Sequence, residues 1–306
     1  MTETGLEVQQ LHAAGRLRPL GVGVLYNPSL PAFLEENLGE LDYVSVIPDM
    51  FWMEDGADGD VRYTELEAWV GVLDRLSGRL PVVAHSIGLS LGTASSFDER
   101  YVDQLRRWHD RYPFGWHSDH LSFVRITGPG GHDHNAGLAV PVPYDEEVLQ
   151  LVAGRVTLVQ DRLGKPFLIE NNVYFVDIPD QEMSEPEFLN ALAERTGCGI
   201  LLDLHNLYAN SRNHHFDPLD FIDALDLDRV GEIHIAGGSE LGDVYTDSHA
   251  GPSPEPVWDL LEVVLPRAPN VAGVTFEFHD SYFPTMGEDG LRAELRRARA
   301  AWDRLR

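Results

Sequence analysis

The side chains that could do chemistry in this chain come in short polar groups, each set at or beside an apolar run. His85 closes one run, Ser118, Asp119 and His120 follow another, and Glu170, Asn171 and Asn172 end a third. Asp203, His205 and Asn206 follow a fourth, His234 lies in a fifth with Asp247 and His249 in the loop after it, and Glu277, His279 and Asp280 close a sixth. Imidazole, carboxylate and amide in this mixture suit iron, manganese or zinc, whereas Cu(I) and iron–sulfur sites need thiolates. Cys198 is the one cysteine. It excludes an intrachain disulfide and fits a reducing cytoplasm.

Such residues act together only if the elements carrying them converge. Eight short apolar runs read as strands: 21–26, 43–47, 81–85, 115–117, 167–170, 199–204, 230–235 and 273–278. Amphipathic helical patterns alternate with them, at 31–38, 64–76, 98–111, 145–163, 185–196, 218–225, 254–264 and 291–305. Strands alternating with helices imply a parallel sheet, and eight such units predict a closed (β/α)8 TIM barrel, an α/β fold of roughly 250 residues. The 306-residue chain then forms one domain over 1–306, with 1–18 as an N-terminal extension. Two long loops, 121–144 and 237–252, follow the fourth and seventh strands and belong on the face where barrel enzymes keep their active sites.

In a barrel the C-terminal strand ends meet at one mouth. Glu170, Asp203 and Glu277 would then crowd together with His85, His120 and His234. Any one of these alone is more often a hydrogen-bonded core group than a ligand. Three uncompensated carboxylates in one cavity, however, repel each other and resist ionisation, and bound cations remove that penalty. Asp247 and His249 add a carboxylate–imidazole pair. So many ligands exceed the three or four that one ion uses, which points to two or three ions sharing carboxylates.

Other features are weaker. The formal charge of −27 repels nucleic acid in the absence of a basic patch, and the Arg-rich stretch 292–306 is interleaved with Glu294 and Asp303. No apolar run reaches the length of a membrane span, and the first ten residues lack the basic and apolar regions of a secretory signal. His85-Ser86 lacks a nucleophile elbow. The glycines of 128–131 lack the strand–helix setting of a phosphate loop. His132, His134, His214 and His215 read as loop residues, and Cys198 as packing beside the sixth strand.

Nine segments carry a resemblance that spans most of the chain: HSIGLSLG (85–92), SDHLSF (118–123), PVPYDEE (141–147), IENNVYF (169–175), MSEPEFL (183–189), GCGILLDLHNLYANSRNH (197–214), EIHIAGG (232–238), DSHAGP (247–252) and FEFHD (276–280). Together, in this order, they resemble the multinuclear non-heme iron-dependent oxidative enzymes, the family of the methanobactin biosynthesis oxidase. The resemblance implies iron ligation by His85, His120, Glu170, Asp203, His234 and Glu277, with Glu170 bridging. It places Asn206, Asp247 and His249 around a third metal, and His205 beside the ligands rather than among them. It further implies two or three irons of mixed Fe(II)/Fe(III) state, O2 as co-substrate, and hydrogen abstraction from a residue, often a cysteine, of a ribosomally made precursor peptide. A leader-binding partner protein is implied too, for which 51–53 and 282–284 are candidate docking residues. Two departures bear on the substrate pocket: the second strand reads VSVIPDM (44–50) where the family usually has Glu residues and an Asn, and Gly238 stands where a second His is common.

Two other readings remain open on the residues alone. A divalent-metal hydrolase or sugar isomerase of the related barrels would hold zinc or manganese and take up no O2. A non-catalytic metal- or peptide-binding accessory would bind metal without changing its partner.

Overall fold

A computed structural model describes residues 17–54, 63–127 and 133–305. Its centre is a closed barrel of eight parallel strands: β1 Gly21–Leu25, β2 Tyr43–Val46, β3 Val82–Ser86, β4 His117–His120, β5 Phe167–Glu170, β6 Gly199–Asp203, β7 Val230–Ala236 and β8 Gly273–Glu277. Each pairs with its neighbours in sequence, and β8 pairs with β1. Helices α1 Pro31–Glu36, α2 Glu67–Ser77, α3 Glu99–Arg111, α4 Glu146–Leu163, α5 Glu185–Thr196, α6 Leu204–His214, α7 Pro218–Ala224, α8 Glu255–Val264 and α9 Phe283–Leu305 pack outside. The last is broken at Gly287, whose φ of 63° and ψ of 177° are not helical.

Local sequence sets the helix ends. Asp98 and Asp145 accept backbone N–H groups at the starts of α3 and α4, and Ser184 and Glu187 form a reciprocal capping box at α5. Gly164 and Gly197 close α4 and α5 with left-handed φ of 62° and 72°.

The barrel interior is built in layers by the period-two alternation of its strands. Tyr43, Val83, Trp116, Leu168 and Leu201 form an apolar floor, with Leu17 and Leu20 packed against it. Two residues further along the same strands the inner face becomes polar: Ser45, His85, Ser118, Glu170 and Asp203. The Tyr43 ring crosses the floor beside Gly23 and Gly273. A Cβ at Gly23 would lie 2.7 Å from its ring carbons, and one at Gly273 would lie 2.4 Å from its hydroxyl.

Three expectations are corrected. Ser118, Asp119 and His120 lie within β4, which starts at His117 rather than Gly115. The long loops are built around hairpins, Ser122–Thr127 with Asp133–Pro141 and Ser239–Leu241 with Val244–Thr246. A third hairpin, Trp52–Glu54 with Tyr63–Glu65, follows β2. Residues 204–214, for which the sequence pattern predicts no helix, form α6 directly off the end of β6.

The floor packing makes a prediction. Gly23→Ala should overpack the buried Tyr43 ring and lower stability by about 1–3 kcal/mol. Urea denaturation checks this, and an unchanged midpoint would contradict the packing.

Candidate metal centre

The strand register aligns the polar residues. His120 is level with Glu170, Asp203 with His234, and Ala236, two residues beyond His234, with Glu277. His85 and His120 both point Nε2 at one oxygen, Glu170 Oε2, from 3.2 and 3.3 Å. On the opposite side His234 Nδ1 lies 2.9 Å from Glu277 Oε1. Three triads have ligand atoms mutually within 4.8 Å: His85, His120 and Glu170; His85, His234 and Glu277; Glu170, Asp203 and His234. They share members, so the six side chains form one continuous cluster.

Asp203 connects the cluster to the chain. As N-cap of α6 it accepts the Asn206 N–H on Oδ1 at 2.7 Å, which leaves Oδ2 for the cavity. Asn171 exchanges two hydrogen bonds with the Asp203 backbone, at 2.8 and 3.0 Å, and so locks the end of β5 to the end of β6. The same cap brings Asn206 in, its amide donating to Glu170 Oε1 at 3.3 Å. His205 therefore lies on the first turn of α6. Its Nδ1 lies 3.0 Å from Asp247 Oδ1. Asp247 is also 3.0 Å from His249 Nε2, which lies 3.4 Å from Glu277 Oε2. His249 has a left-handed φ of 49°, so the segment turns there, and the expected Asp247–His249 pair meets. All nine predicted ligand residues thus gather at one mouth. His120 and His249 keep 21% and 26% of their side chains exposed and mark its open side.

Electrostatics shows a cluster short of positive charge. Burial lifts Glu170 well above the usual carboxylate range, with Asp203 and Glu277 adding to the lift and His234 opposing it. Burial, then Glu277 and Asp247, raise Asp203 to about 6. Burial holds His85 well below the usual imidazole range, and it lowers His120 to about 4. Burial works against the charged form of Glu277 too, but His234 and His249 bring it down to about 2. His249 rises to about 10 despite burial because Asp247 sits against it.

The donor set fits metal ions on one further observation. Glu170 Oε2, Asp203 Oδ2, Asn206 Oδ1, Glu277 Oε1 and both ring nitrogens of His234 are buried without a hydrogen-bond partner. Buried polar atoms are normally paired, and here several unpaired ones from five different side chains face this one space. They are oxygen and imidazole nitrogen donors, the set suited to iron, manganese or zinc.

Other residues singled out in the sequence lie elsewhere. Asp119 turns away to accept Leu89 N–H at 3.1 Å. His279 is exposed and bonds Ser281. His214 pairs with Asp177 and the Tyr174 carbonyl, and His215 is the left-handed C-cap of α6. Cys198 is buried beside β6, its thiol pushed up to about 11 by burial. His132 and residues 128–131 lie outside the described residues. Gly238, the family departure, is sterically required: a Cβ there would lie 2.3 Å from Thr246 O and 2.7 Å from His205 Nε2. The second departure leaves Ser45, a buried hydroxyl, where β2 reaches the polar layer. Sequence reasoning misses Glu232, fully buried two residues before His234, although period two from His234 points it into the barrel.

Known proteins agree with this architecture. Solved barrels of low identity share the fold: endonuclease IV from Thermus thermophilus (TM-score 0.53, 18% identity, 93% of this chain and 99% of that one) and D-psicose 3-epimerase with D-tagatose from Clostridium cellulolyticum (0.57, 11%, 92% and 97%). A UPF0276 protein of Caulobacter vibrioides is 36% identical over 282 residues, 92% of this chain and 93% of the relative. One from Rhizorhabdus wittichii is 37% identical over 267 residues, 84% and 89%. The family model described as "RiPP precursor modification enzyme MbnB/TglH/ChrH" matches residues 20–303. The chain therefore belongs to the MbnB/TglH/ChrH family of RiPP precursor modification enzymes, the multinuclear non-heme iron group that its motifs resemble.

Proposed function

We propose that this protein is an O2-dependent multinuclear non-heme iron oxidase that modifies a residue, often a cysteine, of a ribosomally made precursor peptide. The observation that carries the reading is the set of buried, unpartnered oxygen and nitrogen atoms around one cavity at the barrel mouth. His85, His120 and Glu170 would hold one ion, and Asp203, His234 and Glu277 a second. Asn206, Asp247 and His249 would complete a third position. When bound, iron supplies the redox chemistry and O2 activation that side chains cannot.

The residues themselves do the rest. The Asp203 cap and the Asn171 tether fix the carboxylate positions before any ion arrives. The Tyr43–Trp116 floor closes the cavity from below. The open edge at His120 and His249 leaves an approach for substrate.

The surroundings favour a macromolecular substrate over a small polar one. Among the described residues, most of the exposed large apolar side chains sit on segments that follow the barrel strands: Met53, Ile87, Ile126, Phe175, Val176, Leu241 and Val244. Such side chains around a mouth suit a peptide or a leader-binding partner. Of the docking residues expected at 51–53, Phe51 and Trp52 are buried in an aromatic cluster with Trp69 and Trp108, and only Met53 remains available. Among the described residues no helix is long and apolar enough to cross a membrane.

Elemental mass spectrometry and Mössbauer spectra of anaerobically purified protein should give two or three coupled irons per chain, as about three or four ligands per ion require. Zinc or manganese alone, with iron unable to elicit O2 uptake, would move the assignment to the hydrolase or isomerase chemistry of related barrels. Glu170→Ala and Asp203→Ala should each lose iron and reduce O2 uptake to background together. Full iron stoichiometry in either variant would contradict their assignment as ligands.

A further inference from the structure

Below the ligand layer a further carboxylate faces into the barrel. Glu232 precedes His234 by two residues on β7, so both side chains lie on the inner face. Its Oε2 accepts from Trp116 Nε1 at 2.6 Å, and its Oε1 accepts from the Thr275 hydroxyl at 2.6 Å. Tyr43 OH lies 2.6 Å from Thr275 Oγ1 and 3.4 Å from Glu232 Oε1. His234 Nε2 stands 3.3 Å from that same Oε1, within ion-pair distance though not aligned as a hydrogen bond. The imidazole is thus held between two carboxylates with different surroundings. Glu277 belongs to a ligand triad and carries an unpartnered oxygen. Glu232 belongs to none of the triads found among the described residues, and floor donors engage both its oxygens.

We propose that Glu232 is a positioning residue: it holds the proton on His234 Nε2 and so presents Nδ1 as the ligand atom to a cation on the Glu277 side. The proposal rests on the reading of the mouth as a metal centre. A carboxylate on the far nitrogen of a ligating imidazole fixes its tautomer and orientation and strengthens it as a donor. Trp116 sharpens the arrangement, because an indole N–H can only donate. In Glu232→Gln the amide oxygen must therefore face Trp116, which turns the NH2 toward Thr275 and His234. Thr275 can rotate its hydroxyl to accept. His234 can accept only by moving its proton to Nδ1, the nitrogen meant for the metal.

Two measurements test this. In protein labelled with 15N-histidine and loaded with Zn(II) as a diamagnetic ion, long-range 1H–15N spectra should show His234 bound through Nδ1 and protonated at Nε2. Ligation through Nε2 would overturn the proposal. In anaerobic competition for Fe(II) against a chromogenic chelator, Glu232→Gln should bind about 10–100-fold more weakly than wild type, with the melting temperature of the metal-free protein nearly unchanged. Wild-type affinity in the variant would also overturn it. If the variant does not fold, the spectrum of the wild-type protein decides alone. A wild-type protein that takes up neither Zn(II) nor Fe(II) refutes the metal-centre reading itself, and the proposal falls with it, a failure distinct from a wrong His234 ligand atom.

Discussion

Repulsion among buried carboxylates governs this molecule. Glu170, Asp203 and Glu277 are buried around one space, with Asp247 at its edge. Placing several such charges in a low-dielectric interior carries an effective penalty of several kcal/mol per ion. The histidines offset part of it: Glu277 is kept ionised by His234, and Asp247 by His249 and His205, against the pull of burial. Glu170 and Asp203 are left raised. A fold that keeps its oxygens unpaired and close is arranged for cations, because removing any one acid would be a simpler route to stability.

The rest of the architecture follows from holding that arrangement still. An apolar floor residue, Val83, Leu168 or Leu201, lies two residues before the candidate ligands His85, Glu170 and Asp203, so each of these three is placed by a packed neighbour on its own strand. Asp203 both caps a helix and offers an oxygen to the cavity, which ties its orientation to helix geometry. The floor is also chemically connected to the ligands through Glu232, whose partners Trp116, Tyr43 and Thr275 lie in or beside it. Stability and site geometry are therefore coupled, as the glycines that admit the Tyr43 ring illustrate.

Much of this is legible in the sequence because barrel strands are apolar where they begin and polar where they end. Strand β5, apolar up to a single terminal Glu, can be read to both its ends. Strand β4 cannot, because its inner face, Ser118 and His120, is polar, so the apolar run that marks a strand stops short. Helix α6 escapes the pattern for a related reason. It starts without a loop, and its cap residue Asp203 reads as part of the strand. Contacts that join distant segments, such as Asp247 with His205 and Gly238 beneath His205 Nε2, leave no periodic trace. The family motifs locate those residues but not their relations.

The central claim is that the mouth is stabilised by cations it was built to hold. The most direct measurement is the melting temperature of metal-free protein titrated anaerobically with Fe(II). Ions that bind only the folded chain stabilise it by about 2.7 kcal/mol at a hundredfold excess over Kd, so the melting temperature should climb with Fe(II), and Glu277→Ala should blunt the climb. A melting temperature indifferent to Fe(II), Mn(II) and Zn(II) alike would contradict the account.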